Sequence, residues 1–315
     1  MENKAFEKLC SNYDAVNDSF DRTLVFHSGA SAGLFSEINV MLECMAYCLQ
    51  NKIRFTLYSG DANYGSDGWK TYFKPFCPEV QEPFHHHYNH RLPWLSIKNE
   101  ILKMVQFFPA LYYRKKFSFD YFTYQILRKM WAVKDFHATP LDVPELGLQG
   151  SVREALPLLL KMVWRLNDEV RTTVDKLIAE LKLPEEYTGM QLRFGDKVIE
   201  MELVDTADYL LLAEKVSDLK EVFILSDDYK LGIEKTKELK PEWRVYTFAD
   251  EADQGFVLNA LSARAEDAKR SKIIKLIASV ECLLRAKHFV GIAGANPSYF
   301  VEMGRSYQEC VFVDR

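Results

Sequence analysis

Short apolar runs alternate along this chain with longer stretches in which apolar residues recur every three or four positions. Residues 22–27 (RTLVFH) read as a buried strand and residues 53–59 (IRFTLYS) as a second one. Between them, Phe35, Ile38, Met41, Leu42, Met45 and Leu49 mark a helix over 34–51. A strand, a small-residue loop (28–33) and a helix are the opening unit of a doubly wound domain. The second half repeats the theme. Strands are expected at 187–192, 221–226, 243–248, 287–292 and 310–313, and helices at 208–216, 229–239, 264–284 and from 299.

Between the halves, residues 140–150 are rich in Pro and Gly and read as a linker or loop. One or two helices follow over 151–183, and Ser151 with Glu154 fits a capping box at their start. The expected architecture is α/β, with two doubly wound Rossmann-like domains, 1–183 and 184–315, facing a cleft.

Composition narrows the function. A net charge of −5 argues against a protein that grips nucleic acid through a broad basic surface. The N-terminus is polar and lacks the apolar core of a signal peptide, no apolar run has the length of a membrane span, and six cysteines lie scattered without a CxxC pair. These features suggest buried thiols and a cytoplasmic protein. His85, His86, His87 and His90 have no acidic partner at a clear ligand spacing, so a surface loop is expected there rather than a metal site. Residues 94–132 mix aromatic and basic side chains. Packed helices would look like this, and so would a contact for a sugar, a lipid-linked acceptor or a membrane surface.

Candidate chemistry gathers at expected strand ends, where open α/β sheets bind ligands. Arg193, Asp196 and Lys197 follow the 187–192 strand, and Arg193 can fork onto a phosphate. Asp227 and Asp228 follow the next strand, where a nucleoside contact and a helix cap explain them equally well. Gly294, Ala295 and Asn296 precede a helix start, a ready anion site. In the first half, Gly33 opens a helix, while Tyr64 and Trp69 lie in a Gly/Asp/Asn-rich loop beyond a strand, suited to an acceptor face. Trp69 reads also as a plug of the core.

These residues resemble the fucosyltransferases that include the eukaryotic α1,6-fucosyltransferase of N-glycan cores and the rhizobial nodulation fucosyltransferase. QLRFGDK (191–197) is similar to that family's HVRRTDK-type motif, with its first Arg on Arg193 and its Asp-Lys on Asp196 and Lys197. SGDANYGSDGWKTYF (59–73) looks like the SQNWRYATGGWETVF-type stretch, Ser226-Asp227-Asp228 like the TDD, and 292–296 stands where the family has a TFSSQ-type phosphate loop. The resemblance runs from about Leu24 to Glu302, with departures: Phe194 replaces a second Arg, Gln191 stands where His is frequent, and Ala293-Gly294-Ala295 lacks the loop's hydroxyls.

The resemblance implies a GT-B glycosyltransferase that moves fucose from GDP-fucose to a glycan acceptor with inversion. Arg193, Lys197 and the amides near Gly294–Asn296 would neutralise the departing diphosphate. Glu200 or Glu202 would be the general base, though both read equally as exposed strand residues. With no DxD motif of the metal-holding kind after a donor-domain strand, no metal or cofactor is expected beyond the donor substrate. The alternatives are a related enzyme using another nucleotide sugar, or a non-catalytic binding protein on the same fold.

Overall fold

The computed structural model describes residues 2–29, 32–89, 108–109, 111–194, 204–252 and 266–315. Asp196, Lys197, Glu200, Glu202 and His90 lie outside the described residues. The chain divides into two compact units, Met1–Arg165 and Leu166–Arg315.

The first unit is built on a parallel sheet ordered β2-β1-β3, with β1 at Arg22–His27, β2 at Ile53–Tyr58 and β3 at Tyr121–Phe122. The apolar runs of β1 and β2 are buried along most of their length, as strands covered on both faces require. Helix α1 (Glu2–Asp18) precedes β1, and α2 (Leu34–Gln50) connects β1 to β2. On α1, Phe6, Leu9, Cys10, Tyr13 and Asn17 turn inward at helical spacing. The Asn17 amide makes a paired contact with the outer backbone of β2: Nδ2 donates to the Phe55 carbonyl (2.9 Å), and the Phe55 N–H donates to Oδ1 (2.7 Å). Helix α2 is buried nearly all round, including Cys44 and Cys48.

Three expectations in this unit are corrected. The histidine run forms a short helix, α3 (Phe84–Tyr88), with His85 buried rather than in a surface loop. The segment read as a linker is a β-hairpin of β4 (Pro140–Val143) and β5 (Leu148–Ser151), which buries Leu141, Val143, Leu146 and Leu148. Within the aromatic stretch, Tyr121–Phe122 adds a strand beside β1 and leads into α4 (Thr123–Trp131). The remaining described aromatics there largely pack together around Phe84, Phe119 and Phe122, whereas Phe108 and Tyr112 are exposed.

Helix α5 (Val152–Val163) carries the expected capping box: the Ser151 N–H donates to Glu154 Oε2 (2.7 Å), and the Glu154 N–H donates to Ser151 Oγ (3.3 Å). The chain breaks at Trp164–Asn167 and restarts as α6 (Asp168–Leu181), whose N-cap is Asn167. The division between units therefore falls ahead of α6 instead of after residue 183. The reason is packing: Arg171 and Glu169 of α6 pair with Glu281 (3.3 Å) and Arg270 (2.8 Å) of the second unit.

The second unit holds one parallel sheet ordered β10-β9-β6-β7-β8. Its strands are β6 (Thr188–Leu192), β7 (Glu221–Ser226), β8 (Arg244–Tyr246), β9 (His288–Gly291) and β10 (Cys310–Phe312). Besides α6, its described helices are α7 (Thr206–Val216), α8 (Lys235–Leu239), α9 (Glu266–Arg285) and α10 (Asn296–Gly304). The chain enters at the centre with β6, steps outward to β7 and β8, then returns to lay β9 against the other side of β6. Strand order reverses there, so β6 and β9 flank a topological switch point. Gly189 permits this packing, because a Cβ there would lie 2.8 Å from the Ala286 Cβ and 3.0 Å from Leu283 Cδ2 on the α9 side.

Candidate functional site

The switch point sets where side chains can meet a ligand: beyond the carboxyl ends of β6 and β9, with β7 alongside. Arg193 leaves the end of β6 and donates from Nη1 to Asp227 Oδ2 at 2.7 Å. The other oxygen of Asp227 accepts the backbone N–H of Phe194 at 2.9 Å. Both side chains of this ion pair are largely buried, so its geometry is held more firmly than that of a surface pair. The structure thus brings Arg193 and Asp227 together.

Asp228 does different work. Its Oδ1 accepts the Leu231 N–H (2.8 Å), and its carbonyl accepts Ser226 Oγ (2.8 Å) and the Gly232 N–H (2.9 Å). It is the cap of the next helical segment, which opens with a turn of π-helix at Lys230–Glu234. Gly232 sits so close to Ser226 Oγ that a Cβ has no room there. Phe194, at the position of the family's second Arg, is buried in the apolar core with Leu192, Ile224 and Ile233. It presents no cation, and none of its side chain is available to a polar ligand.

The 291–296 loop is pinned from below. Buried Ser298 donates from Oγ to Gln191 Oε1 (2.7 Å) and accepts the Ile292 N–H (3.3 Å). Gln191 is thus an anchor that ties β6 to the start of α10. The loop amides are engaged: Ala293 and Gly294 donate to the two carboxylate oxygens of Asp314, at 2.7 and 3.3 Å, while the Ala295 N–H closes a turn onto the Ile292 carbonyl (3.1 Å). An anion therefore already stands on the amides the sequence assigned to a phosphate. Asn296 begins α10. Beneath the site, burial pushes the Tyr209 phenol well above its usual range, and the charges of Asp314 and Asp227 push it the same way. Sequence reading missed Asp314, Gln191 as an anchor and Ser298; the signal was the small-residue loop itself, whose amides need acceptors.

In the first unit, the expected acceptor residues are structural. Trp69 is buried, stacks on Phe73 at 4.3 Å and spends its ring N–H on the Lys74 carbonyl (3.1 Å), which is the plug reading. Tyr64 is buried with its hydroxyl on Ser28 Oγ (3.1 Å). Gly33 is the N-cap of α2, in an extended conformation with open space where a Cβ would stand. The polar side chains that gather at the ends of β1 and β2 are instead His27, Asp61 and His86. No group that could hold a metal ion is present, and no helix is long and apolar enough to cross a membrane, among the described residues.

Neither a protein-family model nor a curated protein matches this sequence. Solved structures do match in shape. The fucosyltransferase NodZ from Bradyrhizobium aligns with a TM-score of 0.52 at 11% identity, over 91% of this chain and 93% of that one. NodZ alpha-1,6-fucosyltransferase soaked with GDP-fucose aligns with a TM-score of 0.51 at 12% identity, over 90% and 92%. POFUT1 in complex with GDP-fucose gives 0.48 at 13% identity, over 93% and 98%, a score too low to bear on the fold. The α/β architecture is that of the GT-B fucosyltransferase structures, as the sequence motifs implied.

Proposed function

We propose that this protein is a glycosyltransferase that takes a nucleoside-diphosphate sugar, GDP-fucose, as donor and a glycan hydroxyl as acceptor. The observation that carries the reading is Arg193, held by Asp227 at the switch point of the second sheet, beside the amide-lined 291–296 loop. The GDP-fucose in the NodZ soak supports the choice of donor.

Glycosyl transfer from such a donor adds one negative charge to a diphosphate that already carries two. A guanidinium fixed in advance, with backbone N–H groups at a helix start, stabilises that charge as it grows. Arg193 would contact the diphosphate while Asp227 orients it, and the Ala293 and Gly294 amides would receive a phosphoryl oxygen once Asp314 gives way. Direct displacement at the anomeric carbon inverts its configuration. Cationic side chains and amides would supply the charge neutralisation, in keeping with the lack of a DxD motif of the metal-holding kind after a donor-domain strand. Asp196 and Lys197 follow Arg193 in the motif, and Lys197 is the sequence candidate for a second positive charge toward the donor. The sequence candidates for the base that takes the acceptor proton are Glu200 and Glu202.

The burial of Phe194 favours a second reading, a different nucleotide sugar, because one guanidinium stands where the family has two. Calorimetric titration of GDP and GDP-fucose, with and without magnesium, tests both readings on the wild type and Arg193→Ala. Binding that needs Arg193 and no metal is expected. Absence of binding by either ligand refutes the fucosyl donor, and binding of another nucleotide sugar would establish the second reading.

A further inference from the structure

Residues 111–116 are helical, and the aromatic cluster of the first unit fixes which way that helix turns. Tyr113 stacks on Phe84 at 4.5 Å, and Phe117, one turn on, packs on the same ring at 6.0 Å. The Phe117 N–H donates to the Tyr113 carbonyl (2.9 Å), and the Phe119 N–H closes the segment onto the Arg114 carbonyl (3.2 Å). With Tyr113 and Phe117 turned inward, Leu111, Tyr112, Lys115 and Lys116 share the opposite side at helical spacing. All four are exposed, Tyr112 by 64% and Leu111 by 43%, and Phe108 just ahead of them is exposed by 77%.

A cluster of exposed apolar side chains marks an interaction surface, and the charge beside it narrows the partner. Residues 83–134 hold nine Lys and Arg against two acidic residues, in a chain whose net charge is −5. One of the two, Asp120, is tied inward: its Oδ2 accepts the Thr23 N–H at 2.8 Å. The groove beside the helix is lined by Leu111, Arg114, Lys115, Ser118, Phe119 and Asp120, so two cations stand next to an apolar edge. Phe117 is stacked on Tyr113 at 5.9 Å and faced by Lys116 Nζ at 5.5 Å, so its ring is no platform for a nucleic-acid base. Leu111 has no π-face to offer one. Aliphatic and aromatic groups beside cations fit the boundary of a lipid bilayer better.

We propose that this face docks the protein on an anionic lipid membrane. Phe108, Leu111 and Tyr112 enter the headgroup boundary, where a ring with a polar tip is favoured. Lys115 and Lys116 reach the anionic groups of the lipids while their stems lie along the apolar edge. The rest of the chain is acidic on balance, so an anionic surface repels it and turns this face toward itself. The helix lies on the bilayer, and none of the described helices is long and apolar enough to cross it. The inference is confined to the first unit and is independent of the donor reading.

Co-sedimentation of the full chain with vesicles tests this, using phosphatidylcholine alone and phosphatidylcholine with about 30% phosphatidylserine. The wild type is expected to pellet with the anionic vesicles, to pellet far less with the neutral ones, and to come off as salt rises from about 50 to 500 mM. Each cation at an anionic surface is worth about fivefold in partitioning, so Lys115→Ala/Lys116→Ala should lower it roughly 25-fold. Leu111→Ala/Tyr112→Ala should also weaken it, and should remove the binding that survives in high salt. Lys8→Ala/Lys161→Ala takes two exposed cations from elsewhere in the same unit and should leave partitioning unchanged. Melting curves that superimpose on the wild type show that the variants are folded. No pelleting by the wild type at low salt overturns the inference, as does undiminished pelleting by Lys115→Ala/Lys116→Ala or an equal loss in the control pair. Binding of a single-stranded oligonucleotide that needs Lys115 and Lys116, without binding to vesicles, also overturns it and assigns the surface to nucleic acid.

Discussion

Asp314 holds the amides that a donor diphosphate would need, and removing its carboxylate tests that competition directly. The residue is exposed, and its two hydrogen bonds, at 2.7 and 3.3 Å, are of unequal quality. Exposed charge-assisted contacts of this kind contribute about 0.5–1.5 kcal/mol each, and the longer one belongs at the low end. Together they stabilise the resting loop by about 1–1.5 kcal/mol. A diphosphate must overcome that before binding, so Asp314→Ala should tighten GDP binding by roughly five- to twelvefold, at about 1.4 kcal/mol per decade. The same change should lower the melting temperature by a few degrees, since the resting protein loses what the ligand gains. Isothermal titration with GDP at fixed ionic strength measures the first effect, and calorimetric melting without ligand the second. Glu145→Ala, which makes the same change in net charge in the first unit, controls for long-range electrostatics and should leave the affinity unchanged. Equal or weaker GDP binding by Asp314→Ala would show that carboxylate and diphosphate do not contend for these amides, and the loop would lose its place in the donor site.

Arg193→Ala should weaken GDP binding by about 10- to 150-fold, the worth of a charge-assisted hydrogen bond, and Arg193→Lys should recover only part of it; titration calorimetry reads both. Gly189→Ala forces α9 away from the sheet and should cost about 1–3 kcal/mol of unfolding free energy in denaturant titration. His85 takes a proton at the usual 6.5 when unfolded but only at about 4 when folded. Between those values the unfolded chain binds the extra proton, so stability should fall by up to about 3 kcal/mol as pH drops through that window. Asp61, lowered from its ordinary 3.8, adds a loss in the same direction at still lower pH. His85→Asn should flatten the first phase of an unfolding series against pH.

Much of the second sheet was legible because its strands are buried runs whose periodicity needs no partner to be seen. Arg193 could be placed at a strand end for the same reason. What sequence could not show depends on contacts across the chain. A strand of two residues, Tyr121–Phe122, carries no periodicity, and only its pairing with Leu24 and Val25 defines it. The β4–β5 hairpin was hidden by Pro140, Pro144 and Gly147, although the alternation of Leu141 and Val143 was a usable sign. Polar α1 concealed an inward stripe through Cys10, Tyr13 and Asn17. Asp227 owes its place to Arg193, thirty-four positions earlier, and Asp61 owes its two imidazole contacts to a strand and a helix on either side of it. Neither relation has a sequence signature. Trp69 shows the converse: a motif residue whose identity invited a ligand role, and which structure spends on packing.

The paired contact between Asn17 and Phe55 also bears on how the first sheet is kept from adding strands. Strand β2 is an edge of its sheet, and the outward backbone groups of Phe55 and Leu57 are where a strand from another copy would add. Asn17 satisfies the first, and Pro78 and Val80 satisfy the second, at 2.9 and 2.8 Å. A side-chain amide here stands in for a missing neighbouring strand. Helix α1 is thereby a guard against self-templating: a form cut after Asp18 would keep every strand of the sheet yet expose an apolar, hydrogen-bond-hungry border.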